Sequence, residues 1–265
     1  MNANQLLSSF TEQQVAGFML VLARIAPLFI LAPLFSSKSI PARARTIVAV
    51  AIAFGMAPIA LRAGSTHEIP LDDIWTFGGL MVKEFLVGAA FSFVLAALFA
   101  AVSAAGSLLD TMIGFSFGSL VDPMTGTQSS VLQQLYSLVG VMVFIAINGD
   151  AWVLQGLART YELVPLVDTP QINNLVHAMQ EAFAGIFTAA IQISAPVLIA
   201  LVITDAAFGV VSRVVPQLNV FAVGFPAKVA VGFVLIGASL PFVAGWLHDE
   251  LQQSVVAALH ALRVG

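Results

Sequence analysis

Long apolar stretches separated by short polar breaks run through the chain, and each stretch has the length of a helix rather than of a strand. Residues 15–35 form the first, long enough to cross a hydrocarbon layer, which takes about 20 residues. Arg24 stands in its middle. An arginine there is costly in hydrocarbon, so it is expected to face protein, water or a partner carboxylate. Pro27 and Pro33 each remove a backbone donor and are expected to bend or divide the helix. A second run covers 46–61, after which residues 62–84 read as the most polar interruption, with His67, Glu68, Asp72, Asp73, Lys83 and Glu84.

Residues 85–109 carry the strongest pattern. Gly88, Ser92, Ala96, Ala100 and Ala104 recur every four residues, so one face is small enough for a second helix to approach closely, while Phe91, Leu95, Leu98, Phe99 and Val102 are expected to pack outward. Further apolar runs cover 131–147, marginal in length and ended by Asn148, Gly149 and Asp150, then 182–203, interrupted by Pro196, and a last one reaching Trp246. Asp168 or Thr169 is placed to cap a helix beginning near Pro170. In the tail, Leu247, Leu251, Val255 and Leu259 fall at helical spacing. The count is six candidate hydrophobic segments in one unit without an internal repeat, and the fold class is all-α, a membrane-assembled set of helices that are kinked or broken.

Composition sharpens this reading. Hydrophobic residues make up 59% of the chain and charged ones 9%, with a mean hydropathy of +0.98, so a water-soluble domain is excluded. The absence of cysteine removes disulfides, thiolate metal sites and cysteine nucleophiles. A net charge of −4 without a basic cluster gives nucleic acid nothing to bind. Residues 1–14 contain no Lys or Arg, so a cleavable signal is not expected. An intramembrane protease would need a GxGD sequence, but Ile147 stands where its first glycine belongs; HExxH and GxSxG are missing as well. No catalytic residue, metal site or cofactor is expected.

Three polar features remain. Lys38, Arg43 and Arg45 form a basic connection that reads as a cytoplasmic anchor. Asp205, Arg213, Pro216, Gln217, Asn219, Gly224, Pro226 and Lys228 interrupt the apolar C-terminal region. The two cations give Asp205 partners in a buried structural network, against the alternative of a proton relay. The stretch 110–130 carries Met112, Ile113, Gly114, Phe115, Phe117, Gly118, Pro123, Met124 and Gly126. Glycine frees the backbone and proline stops a helix, so this segment is bent and yet apolar. It is either a connecting loop folded on its own bundle or a plug in a passage, where Met and Phe form a seal that water does not wet. Six crossings would put 110–130 on the cytoplasmic side with the basic connection and with Arg213 and Lys228. It has two acids and no cation there, which argues against a simple six-span bundle.

APLFSSKSIPARAR at 32–45, DTMIGFSFGSLVDP at 110–123 and APVLIALVITDAAFGVVSRVVPQLNVFAVGFPAKVAVG at 195–232 resemble the flagellar biosynthetic protein FliR family, the export-gate R subunit related to the T subunit of virulence type III secretion. The resemblance covers nearly the whole chain, with Ala227 standing where a bulkier apolar residue is common. It implies a single export-gate subunit, 1–109 and 131–265 flanking the central segment 110–130, built of helical hairpins like a P-type and a Q-type subunit fused. It implies assembly with P-type and Q-type subunits at the inner membrane in the flagellar basal body, much of that assembly held above the bilayer plane rather than spanning it, with the B switch protein and the A subunit as neighbours and unfolded exported proteins as cargo. It also favours the plug over the plain loop, with Met112, Ile113, Gly114, Phe115, Phe117, Gly118 and Met124 closing the channel. A virulence T subunit and a secondary transporter are the alternatives. The transporter would require paired interrupted segments in two halves.

Overall fold

A computed structural model describes residues 11–33, 35–36, 40–63, 69–71, 73–115, 130–217 and 219–261. Seven α-helices occupy them: α1 Glu12–Leu31, α2 Ala42–Ala63, α3 Ile74–Ile113, α4 Val131–Ala146, α5 Gly149–Leu163, α6 Ile172–Val214 and α7 Val220–Ala261. The all-α expectation holds. Five helices are long and apolar enough to cross a membrane, or six if α4 and α5, bent by 71° at their junction, are one broken span. This is a multi-pass membrane protein by composition and helix length. The chain divides into two compact units, one of residues 1–96, 148–183 and 251–265 and the other of residues 97–147 and 184–250.

Local chemistry sets the helix ends. Thr11 and Gln14 form a reciprocal capping box at the start of α1. Gln13 then clasps the backbone of Ile69, its Nε2 donating to the carbonyl at 3.0 Å and its Oε1 accepting the amide at 3.1 Å. Pro27 lies within α1 without dividing it, and α1 stops at Ala32, whose extended backbone is what the following Pro33 imposes. Prolines also stand inside α2, α6 and α7. Pro27, expected to bend or divide its helix, and Pro196, expected to interrupt its run, do not end theirs: a single missing donor does not end a helix held by a long apolar surface on both sides. Asp73 caps α3, accepting from the Trp75 and Thr76 amides and the Thr76 hydroxyl. These bonds, the hydroxyl's first, hold its carboxyl below the usual aspartate range. α6 begins at Ile172, with Gln171 before it, so neither Asp168 nor Thr169 is its cap.

Helix α3 is broader in role than its small-residue face predicts. Phe91, Leu95, Leu98, Phe99 and Val102, expected to pack outward, are all buried. In the first unit Phe91 meets Gly156 of α5, and in the second the Phe99 ring meets that of Phe144 of α4 at a tilt of 60°, with centres 5.3 Å apart. Large side chains and small ones therefore both face protein. Close approach is concentrated at Gly88, where an added Cβ would lie 1.9 Å from the Arg24 carbonyl oxygen. Backbone cannot move aside as a side-chain tip can. Gly88→Ala is expected to destabilise the fold by about 3 kcal/mol, the upper end for overpacking, and detergent-titration unfolding would measure it. Wild-type resistance would show that α1 and α3 separate freely.

Candidate functional site

In the first unit an ion cluster is built at the closest approach of α1 and α3. Arg24 projects from α1 and Glu84 lies on α3 one turn before Gly88, so the residue that lets the helices touch also brings their charges together. Both side chains are fully buried, and Arg24 Nε donates to Glu84 Oε2. Arg24 Nη1 donates to the Thr160 hydroxyl at 3.1 Å and Nη2 to the Val164 carbonyl at 2.8 Å. Its guanidinium lies 4.2 Å from the centre of the Tyr161 ring. Lys83 Nζ sits 2.7 Å from Glu84 Oε1 and donates to the carbonyls of Leu166 at 2.6 Å, Asp168 at 2.9 Å and Pro165 at 3.4 Å. The two cations thus gather carbonyls left without helical partners at and beyond the C-terminus of α5.

Sequence reading anticipated half of this cluster. Arg24 meets a carboxylate, as its position required. Lys83 and Glu84, however, belong to α3 and not to a polar interruption, because α3 begins at Ile74. The signal was the spacing of Glu84 and Gly88, four residues apart on the face that must meet another helix.

In the second unit the described part of the central segment closes α3. Gly114 takes φ 103°, a left-handed conformation suited to glycine. Its amide and that of Phe115 both reach the Asp110 carbonyl at 3.1 Å. Met112 is exposed, whereas Ile113 is buried against Gly232 of α7, where an added Cβ would come within 2.5 Å of Ile113 Cδ1. The Phe115 ring meets Phe233 edge-on at 5.9 Å between centres. Asp110, itself buried, also starts the next helix: its carboxylate accepts the Leu132 amide at 3.2 Å. Phe117, Gly118 and Met124 lie outside the described residues.

The C-terminal polar group is corrected in one respect. Within this chain it is largely exposed: Arg213, Pro216, Gln217, Asn219 and Pro226 face outward, and of the eight residues Gly224 alone is buried. Lys228 Nζ pairs with Asp205 at 2.8 Å, with side chains 19% and 51% exposed. Arg213 stands in the last turn of α6, where a cation complements the helix dipole. Asn219 caps α7 by accepting the Ala222 amide at 3.1 Å. Burial fails here because α6 and α7 leave whole apolar faces uncovered by their own chain. The basic connection is likewise partly helical. Arg43 and Arg45 lie in the first turns of α2, where Arg45 Nη1 donates to the Ser36 carbonyl at 3.1 Å, and Lys38 lies outside the described residues. Among the described residues no group of acids and histidines could hold a metal ion.

Residues 15–254 match the family model for bacterial export proteins, family 1. The chain is 32% identical over 224 residues to flagellar biosynthetic protein FliR of Bacillus subtilis (strain 168), covering 83% of this chain and 84% of that protein. It is 30% identical over 223 residues to FliR of Escherichia coli (strain K12), covering 84% of each. Surface presentation of antigens protein SpaR of Shigella flexneri is 28% identical over 216 residues, covering 82% of each. With a family match along nearly its whole length and FliR proteins similar over more than four fifths of theirs, the chain belongs to family 1 of the bacterial export proteins, the family that includes FliR.

Proposed function

We propose that this chain is a core subunit of the flagellar protein export apparatus of the bacterial inner membrane, at the basal body, where it helps form and close the channel for unfolded flagellar proteins. The observation that carries the reading is the incompleteness of α6 and α7. Of the apolar windows in these helices, 28% and 22% of residues are buried, against 61% in α3, and the exposed part includes the ion pair of Asp205 and Lys228. An ion pair on an apolar face is poorly matched to hydrocarbon, and it fits a face completed by neighbouring protein. P-type and Q-type export subunits are the proposed neighbours, with the B switch protein and the A subunit nearby and exported chains as cargo. A fold like fused P-type and Q-type subunits would let one chain close their ring.

Residues 110–130 act as the plug in this reading. Passage of an unfolded polypeptide must leave ions behind, and a gasket of Met, Ile and Phe has no group that water or a proton can follow. Phe115, seated on Phe233, and Ile113, packed at Gly232, fix the root of that segment. Asp205 and Lys228 then serve as a structural contact and not as a proton relay.

Co-expression tests the assembly. Tagged chain is expected to retain P-type and Q-type subunits through detergent purification, and Lys228→Ala to reduce that retention severalfold. A lone, well-behaved protein would count against the reading. A second reading, the T subunit of a virulence apparatus, draws on the similarity to SpaR; rescue of secretion rather than of motility in the matching deletion strains would favour it.

A further inference from the structure

Lys83 is held by more than its pairing with Glu84. Its Nζ is surrounded by four oxygens: the carbonyls of Leu166 at 2.6 Å, Asp168 at 2.9 Å and Pro165 at 3.4 Å, and the Glu84 carboxylate at 2.7 Å. An ammonium group has three hydrogens to donate. The three carbonyls take them, whereas Glu84 Oε1, although in contact, accepts no hydrogen bond. Charge alone holds that fourth oxygen. Oxygens gathered on a positive centre without regard to hydrogen direction form the coordination shell of a spherical ion, as backbone carbonyls do around K⁺ in a selectivity filter.

Two segments build this shell. Beyond the last turn of α5 the chain folds back, the Asp168 amide donating to the Pro165 carbonyl at 3.1 Å, and this turn brings three carbonyls together on Lys83 near a helix end whose dipole is already negative. α3 contributes Lys83 and Glu84 as neighbours in sequence, so the cation and the carboxylate beside it come from one turn. Three neutral carbonyls and a carboxylate shared with Arg24 carry at most one negative charge, which matches a monovalent cation. A divalent ion such as Ca²⁺ takes more oxygens, several of them from carboxylates. The Lys83 side chain is 11% exposed, so the shell is nearly closed to water. Alongside it Val164 packs with Val87 and Ala90 of α3 and Leu175 of α6, so whatever fixes the turn also fixes the start of α6.

We propose that the turn at residues 165–168 and Glu84 form a monovalent-cation site, which the chain fills with its own Lys83 ammonium group. The tethered charge keeps the connection from α5 to α6 in one shape whatever ions surround the protein. Once the side chain is removed, a free alkali ion or a small alkylammonium ion takes its place. The site rests on the geometry of the cluster and is independent of the proposed role in export.

The test compares purified Lys83→Ala with wild type in choline, potassium, sodium and methylammonium chloride at one ionic strength, each unfolded in a titration of denaturing detergent. In choline the variant is expected to unfold earlier than wild type. At least one of the other three cations should recover most of that shift, in proportion to the logarithm of its concentration, while wild type responds to none of them. The cation that acts at the lowest concentration tells whether the shell prefers a bare ion or one that donates hydrogen bonds. Equal behaviour of the variant in all four salts would overturn the proposal and leave Lys83 as an ordinary ion-pair partner. Lys83→Gln keeps the test decisive if the alanine variant does not fold, since it retains N–H donors without the charge. It is expected to unfold well before wild type in choline; stability equal to wild type there would show that the shell needs no cation and would likewise overturn the proposal.

Discussion

Glu84→Gln is expected to unfold the first unit's core more than any other single polar substitution, because it leaves Arg24 and Lys83 facing one another without an anion between them. Arg24 is fully buried and its remaining partners are one hydroxyl, one carbonyl and the Tyr161 ring. Removing one member of a buried pair typically costs about 3–5 kcal/mol, chiefly as the penalty of the stranded charge. The same logic predicts that Arg24→Met combined with Glu84→Met is milder than either change alone. Lys83 keeps its three backbone carbonyls in that background and is partly open to solvent. Unfolding in a titration of denaturing detergent, run as a double-mutant cycle, measures the coupling. Additive single effects would mean that Arg24 and Glu84 are neighbours without dependence on each other.

Deletion of residues 114–118 is expected to make the inner membrane leaky to ions, the second large effect. The deletion takes out the left-handed Gly114 that stops α3 and the Phe115 ring seated on Phe233. On the proposed reading it also shortens the apolar seal. Cells expressing the variant with its partner subunits should grow poorly and lose membrane potential, followed with a potential-sensitive dye. Phe115→Ser should give a weaker leak, since one of the segment's two rings is lost and the backbone remains. Normal growth and unchanged conductance in both variants, with the complex assembled, would leave the segment as a plain connection.

Much of the helical layout could be read from hydropathy alone, because a membrane helix must satisfy its own backbone and announces itself by an apolar run of fixed length. The break at Asn148 was visible in the same way, and the structure places a non-glycine residue there at φ 55°. Polar positions were harder. Lys83 and Glu84 look like loop residues because a charge is assigned by its neighbours in sequence, whereas its cost is decided by its neighbours in space. The opposite case is Asp205 and Arg213: an apolar sequence context implies burial, whereas within this chain both are exposed. A small-residue face explains one contact, and nothing in the sequence of a single helix reveals that Phe91 and Val102 on its other sides are enclosed as well.

Asp110 has a consequence for evolution of length. Its carbonyl ends α3 and its carboxylate begins α4, so both banks of the intervening stretch are moored to one residue. Insertions or losses between them can be absorbed without re-threading either helix. Related proteins are thus free to vary the length of this connection while keeping the same frame.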